Sequence, residues 1–172
     1  MSWLLTYACA WLTATLLSAW LTGFCRRLAP RLGLLDRPKG EAHKTHQQAT
    51  PVAGGIGMCL AWLLTLAGGI FACIKARAWL PPDFDFVVPG LQNVWKNLLL
   101  IAGGASLITI FGVVDDRQSM RPGKKFLLQF LVAAVTATWG PRLTLGISSQ
   151  AICWLITVLW IMTVVNALNF FD

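Results

Sequence analysis

Along this chain apolar residues fall in long uncharged runs, not in the alternation of a half-buried strand or the narrow stripe of a soluble helix. A helix rises about 1.5 Å per residue and a bilayer's hydrocarbon core is about 30 Å thick, so a spanning helix needs roughly 20 mostly apolar residues. Five stretches approach that length: Trp3 to Phe24, Val52 to Ile74, Val94 to Val114, Pro122 to Trp139 and Ile147 to Val165. The fourth is strongly apolar only from Phe126, which alone is too short. Starting it at Pro122 repairs this, because proline suits a helix's first turn and Lys124 and Lys125 can snorkel toward head groups. The first stretch reads as a span and not as a signal peptide, since no basic region precedes it and no small-x-small cleavage site follows before Arg26 and Arg27. The predicted fold class is therefore all-α: a polytopic membrane helix bundle of about five transmembrane helices.

Composition narrows the picture. The 172 residues leave room for one domain, and 56% of them are hydrophobic while only 12% are charged, against about 25% charged in soluble domains. A mean hydropathy of +0.65 points the same way. A soluble enzyme, a disordered tail and a nucleic-acid module are excluded, because one small core could not hide so much apolar surface. The net charge of +7 does not revive a nucleic-acid partner, since the 14 basic residues sit in short runs between apolar stretches and not along one helix face. They serve better as topology signals. Arg26, Arg27, Arg31, Arg37, Lys39 and Lys44 follow the first span, and Arg117, Arg121, Lys124 and Lys125 follow the third. The opposite side holds Lys75, Arg77, Lys96 and Arg142. The positive-inside rule then puts the N-terminus outside and the C-terminus in the cytoplasm. Trp3, Trp20, Trp79, Trp95 and Trp139 lie near span ends, as interfacial anchors do. The five cysteines are odd in number and form no CxxC pair, which supports neither a disulfide framework nor a zinc site.

This topology gathers the unusual polar groups at one membrane face. Asp115 and Asp116 directly follow the apolar run Ile108 to Val114. Each carboxylate would cost about 2.5–3.5 kcal/mol near a bilayer centre, less at the interface, and their mutual repulsion asks for cations. They are either a solvated helix end with Arg117 and Lys125 as counter-ions, or a site for Mg²⁺, a phosphate-linked cation network or a general base. Lys124 and Lys125 follow across the Pro122-Gly123 break, either as orientation signals or as part of a mixed-sign surface that holds an anion and its metal. In loop one, His43 and His46 lack a third ligand for zinc. Gly54, Gly55 and Gly57 either turn backbone N–H groups toward a phosphate or permit close helix packing. Asn166, Asn169 and Asp172, at i, i+3 and i+6, share roughly one helix face at the end of the last span. Their amides can hydrogen-bond a base or a sugar, and the carboxylate can approach a hydrated metal.

Taken together, Asp36-Arg37-Pro38, Lys44-x-His46-x₄-Pro51-x₂-Gly54-Gly55, Val113-Val114-Asp115-Asp116 through Lys125-x₃-Gln129, and Asn166-x₂-Asn169-x₂-Asp172 resemble one family. It is the polyprenyl-phosphate N-acetylhexosamine-1-phosphate transferases, membrane enzymes that initiate peptidoglycan, teichoic acid, O-antigen and related glycan synthesis. The resemblance implies Mg²⁺-dependent transfer of a sugar 1-phosphate from a UDP-N-acetylhexosamine to undecaprenyl phosphate with release of UMP, at the cytoplasmic face of a bacterial inner membrane. It implies catalytic roles for Asp115 and Asp116, substrate binding by Lys125, His46, Asn166 and Asn169, and metal binding by Asp172. A homodimer is compatible with it. Loop one lacks the Thr-Pro-Thr-Met-Gly-Gly form of the muramoyl-pentapeptide branch, which favours an N-acetylglucosamine-type donor. The family's motif continues into a second Asp and Gly and further spans, so residues 1–172 correspond to roughly the N-terminal half of its domain. On that reading the chain is an incomplete part whose parent carries the activity.

Two other classes compete. An isoprenoid-transferring membrane enzyme also uses acidic pairs with Mg²⁺ but wants DDxxD-type spacing, which Asp115-Asp116-Arg117-Gln118-Ser119 lacks. A transporter fragment or non-catalytic membrane scaffold would place its acids within the spans, and here the middles of the spans are almost free of charge.

Overall fold

The computed structural model describes residues 2–36, 50–75 and 86–171. Five helices follow one another: α1 (Ser2–Leu28), α2 (Gly54–Lys75), α3 (Val87–Gln118), α4 (Pro122–Trp139) and α5 (Gln150–Phe171). A two-residue antiparallel pair, β1 (Leu35–Asp36) with β2 (Thr50–Pro51), closes loop one and joins Leu35 to Pro51 and Asp36 to Thr50. The helical membrane fold is as the apolar runs predict. Four helices, α1, α2, α3 and α5, are long and apolar enough to cross a membrane. The fifth, α4, starts at Pro122 as expected, and its 18 residues extend about 27 Å. It is the least apolar of the five predicted spans because its first turn carries Lys124 and Lys125.

Most helices overrun the hydropathy boundaries at their polar ends. The first continues through Arg26 and Arg27, the third through Asp115 to Gln118, and the last through Asn166 to Phe171. Hydropathy marks the hydrocarbon slab, whereas backbone hydrogen bonding carries a helix on into the head-group region. At its start α5 is instead shorter than expected. Leu145 and Gly146 have φ of +46° and +75°, and this turn delays the helix until the Ser149 carbonyl accepts the Cys153 N–H at 3.0 Å.

The burial pattern is that of a protein in lipid. Leu16, Trp20, Leu99, Leu159 and Trp160 are exposed, while Ala29, Ala61, Ala133 and Ala137 are buried. Small residues let helix backbones approach where lipid already solvates large apolar side chains. Hydroxyls within the helices bond to the preceding turn, as Thr15 does to the Trp11 carbonyl, Thr65 to Ala61, Ser106 to Ala102 and Thr136 to Val132. In an apolar solvent that local bond replaces water.

Two compact units partition the chain. The first comprises residues 1–91 and 112–119, the second 92–111 and 120–172. In the first, α1 and α2 pack so closely that a Cβ built on Gly57 would lie 2.6 Å from the Thr22 Cα, whereas Gly54 and Gly55 face open space. Of the two roles open to these glycines, packing is the one Gly57 fills. A core of Cys25, Ala29, Leu34 and Ala53, with Val52, Ile56 and Val113 against it, fastens the end of α1 to the start of α2 and to α3. Trp3 meets Phe86 with ring centroids 5.6 Å apart, so α1 and α3 begin at the same end of this unit.

The second unit contains the antiparallel hairpin α4–α5. Ala133, Ala137, Val158 and Met162 form its dry seam, flanked by Trp154 and Ile161. Arg142 closes the hairpin's loop end, donating to the Ala137 carbonyl at 2.6 Å, the Thr138 carbonyl at 2.9 Å and Gln150 Oε1 at 2.9 Å. There a fixed cation satisfies carbonyls that the helix itself leaves without partners.

Candidate active site

Asp115 and Asp116 occupy the last turns of α3, with Asp115 half-buried and Asp116 exposed. Consecutive helical residues point about 100° apart, which explains the difference. The helix stops at Ser119, whose left-handed φ of 44° lets its N–H reach the Asp115 carbonyl at 2.8 Å. Two features fix this end. Val113 packs against the core at the end of α1, and Arg117 Nη2 donates to the Leu32 carbonyl at 2.9 Å. The turn after α1 and the end of α3 thus lie together, as the topology drawn from the basic residues requires of this unit.

Carboxylates at a helix C-terminus face the negative end of its dipole, costing about 0.3–1 kcal/mol each where the ideal residue is basic. Helix stability does not explain them. Hard carboxylate oxygens match Mg²⁺, an ion usually held by one or two carboxylates together with waters and substrate phosphates. Among the described residues no group of three or more His, Cys, Asp or Glu is placed to hold a metal.

In the second unit, Lys125 and Gln129 stand one turn apart at the start of α4, opposite Asn169 and Asn166 on α5. Lys125 Nζ donates to Asn169 Oδ1 at 3.0 Å. Asn166 Nδ2 donates to Gln129 Oε1 at 2.8 Å and to the Met162 carbonyl at 2.8 Å. These two rungs continue the Ala133/Ala137 seam, so the hairpin is apolar along its length and polar at this end. Gln129 is buried, Asn166 and Lys125 are half-buried, and Asn169 is exposed.

Lys125, Asn166 and Asn169 are thus brought together. His46 and Asp172 lie outside the described residues, as does most of loop one. Gln129 was visible in sequence only as a motif position. Its signal was an amide within Phe126–Val132, four residues after Lys125, in a run with no other polar side chain.

Of the comparisons with known proteins, one falls on the second half of the chain and the others run over most of it. Residues 98–172 match glycosyl transferase family 4. The matched segment holds Asp115, Asp116, Lys125, Gln129, Asn166 and Asn169, and the resemblance drawn from the motifs is borne out. Among curated relatives, a protein of Bacillus subtilis named "Probable undecaprenyl-phosphate N-acetylglucosaminyl 1-phosphate transferase" is 26% identical over 88% of this chain and 38% of its own length. "Decaprenyl-phosphate N-acetylglucosaminephosphotransferase" of Mycobacterium tuberculosis is 30% identical over 94% of this chain and 39% of its own, and its namesake in Mycolicibacterium smegmatis is 28% identical over 94% and 38%. The chain spans under two-fifths of the length of these relatives. No solved structure matches.

Proposed function

We propose that this protein serves the transfer of N-acetylglucosamine 1-phosphate from a UDP-sugar to a polyprenyl phosphate, undecaprenyl phosphate being the expected acceptor. An oxygen of the lipid phosphate attacks the sugar-side phosphorus of the nucleotide's pyrophosphate. The bond to the bridging oxygen breaks, UMP departs, and a lipid-linked sugar pyrophosphate remains. The observation that carries the reading is the polar end of the α4–α5 hairpin, inside the segment that matches glycosyl transferase family 4, in a chain similar over most of its length to relatives named for this chemistry.

The roles follow from side-chain chemistry. Lys125 is a cation for a phosphate oxygen, already held beside Asn169. Asn166 and Asn169 offer amides to the nucleotide sugar. Asp115 and Asp116 are carboxylates suited to organising the acceptor phosphate, and for Asp172 the resemblance implies metal binding; Mg²⁺, when bound, would offset the negative charge of the crowded phosphates. Either aspartate can also take a proton, although a phosphate monoester is already largely ionised near pH 7. For His46 the resemblance implies a part in binding the substrate. The cytoplasmic placement of the site rests on the ten basic residues after the first and third spans.

The test is transfer of label from UDP-[¹⁴C]N-acetylglucosamine to extractable lipid, in membranes supplied with undecaprenyl phosphate. Label should enter lipid with the complete parent protein and be lost when it carries Asp115→Asn or Asp116→Asn. Unchanged turnover in both variants would reject their catalytic role. Absence of both transfer and UMP binding in the complete parent would reject the reading itself.

A further inference from the structure

Gln129 is the most buried polar side chain at this end of the hairpin, 6% exposed between Leu128 and Phe130. A buried amide in a membrane helix is retained only where it has partners and a use. Its Oε1 accepts one hydrogen of Asn166 Nδ2, and the Met162 carbonyl accepts the other. A backbone carbonyl can only accept, which fixes Nδ2 on that side of the Asn166 amide. With both hydrogens engaged, Asn166 turns its carbonyl oxygen outward as an acceptor. Asn169 is set the opposite way. A lysine ammonium can only donate, so Lys125 claims Asn169 Oδ1 and leaves the Nδ2 hydrogens facing out. One helical turn apart, the two asparagines present an acceptor and a donor.

We propose that Gln129 is a positioning residue which holds the Asn166 amide with its oxygen outward, so that Asn166 accepts a hydrogen bond from a hydroxyl or N–H of the nucleotide sugar. The inference rests on the proposed transferase reading. It makes a prediction that packing alone does not. Gln129 acts through Asn166, so its removal should matter only while Asn166 is present.

The experiment is a double-mutant cycle on the full protein in membranes, with Gln129→Leu, Asn166→Ala and their combination, reading KM for UDP-N-acetylglucosamine, kcat and the melting temperature in detergent. Gln129→Met, an unbranched side chain of similar length, is a second route to the same loss. Gln129→Leu and Gln129→Met should raise KM about tenfold, the order set by one well-oriented hydrogen bond, with a melting temperature no lower than that of Asn166→Ala, which loses the same bond. In the Asn166→Ala background Gln129→Leu should add nothing. A wild-type KM in both Gln129 variants, or penalties that multiply in the double variant, overturns the proposal. So does a KM rise that comes with a melting temperature below that of Asn166→Ala in both variants, which would assign Gln129 to packing. If the wild type itself transfers no label, it is the transferase reading that fails.

Discussion

The contact between α1 and α2 offers a sharp test of the packing argument. A Cβ on Gly57 would sit 2.6 Å from the Thr22 Cα, 2.7 Å from its N and 2.7 Å from its Oγ1. Two of these atoms are backbone and cannot swing aside. Ordinary contact begins at 3.4 Å, so Gly57→Ala requires the helices to part by roughly an ångström or one of them to rotate. Overpacking of this kind costs about 1–3 kcal/mol. At about 2–4 °C per kcal/mol for a chain of this size, the melting temperature in mild detergent should fall by roughly 2–12 °C. Gly55→Ala is the internal control. Its Cβ meets nothing within 4 Å, and alanine is favoured over glycine in a helix by about 0.5–1 kcal/mol, so that variant should melt at or slightly above the wild type. Tryptophan fluorescence melts of the three proteins decide the matter. If Gly57→Ala is as stable as Gly55→Ala, the close approach does not hold α1 to α2.

Other expectations follow from the same geometry. Arg142→Met strips three acceptors at the loop end of the hairpin and should lower stability by about 1–3 kcal/mol, while Arg142→Lys should recover less than half, because an ammonium cannot reproduce the guanidinium fork; thermal melts of both variants check this. Ala137→Leu inserts three carbons into a fully buried position of the α4–α5 seam and should cost about 1–3 kcal/mol, whereas Leu159→Ala on the lipid face should cost little. Arg117→Met removes the bond to the Leu32 carbonyl and should speed hydrogen exchange at the end of α3 without altering exchange in α5.

Much of this was legible in the sequence because lipid imposes a simple rule: long uncharged runs must be helices, and their polar breaks must be ends. The start of α4 at Pro122 followed from the proline and the two lysines, and the shared face of Asn166 and Asn169 from their three-residue spacing. The extensions of α1 and α3 were not legible, since hydropathy falls silent where the helix leaves the hydrocarbon while its hydrogen bonds go on. Nor was the left-handed Leu145, because nothing in Thr144-Leu145-Gly146 names the non-glycine residue of a turn. Gln129 escaped for a different reason. A single amide in a run of leucines has no periodic signal, and its meaning comes only from Asn166, 37 positions later.

At both polar centres, residues work against the local preferences of their helices. The end of α3 carries Asp115 and Asp116 where its dipole favours cations, and the end of α5 carries two asparagines, weak helix formers, where leucine or lysine would be better. Each is offset by a partner from elsewhere in its own unit. Arg117 anchors the α3 terminus to the turn after α1, and Lys125 and Gln129 engage the two asparagines from α4. By contrast, the loop end of the hairpin obeys the local rule, since Arg142 places its cation at the C-terminus of α4. A membrane anchor selected only for stability would follow that rule at every helix end. Local cost at the carboxylate and asparagine ends, and at the two lysines in the first turn of α4, set beside specific hydrogen bonds there, is the pattern expected where side chains are kept for more than the fold.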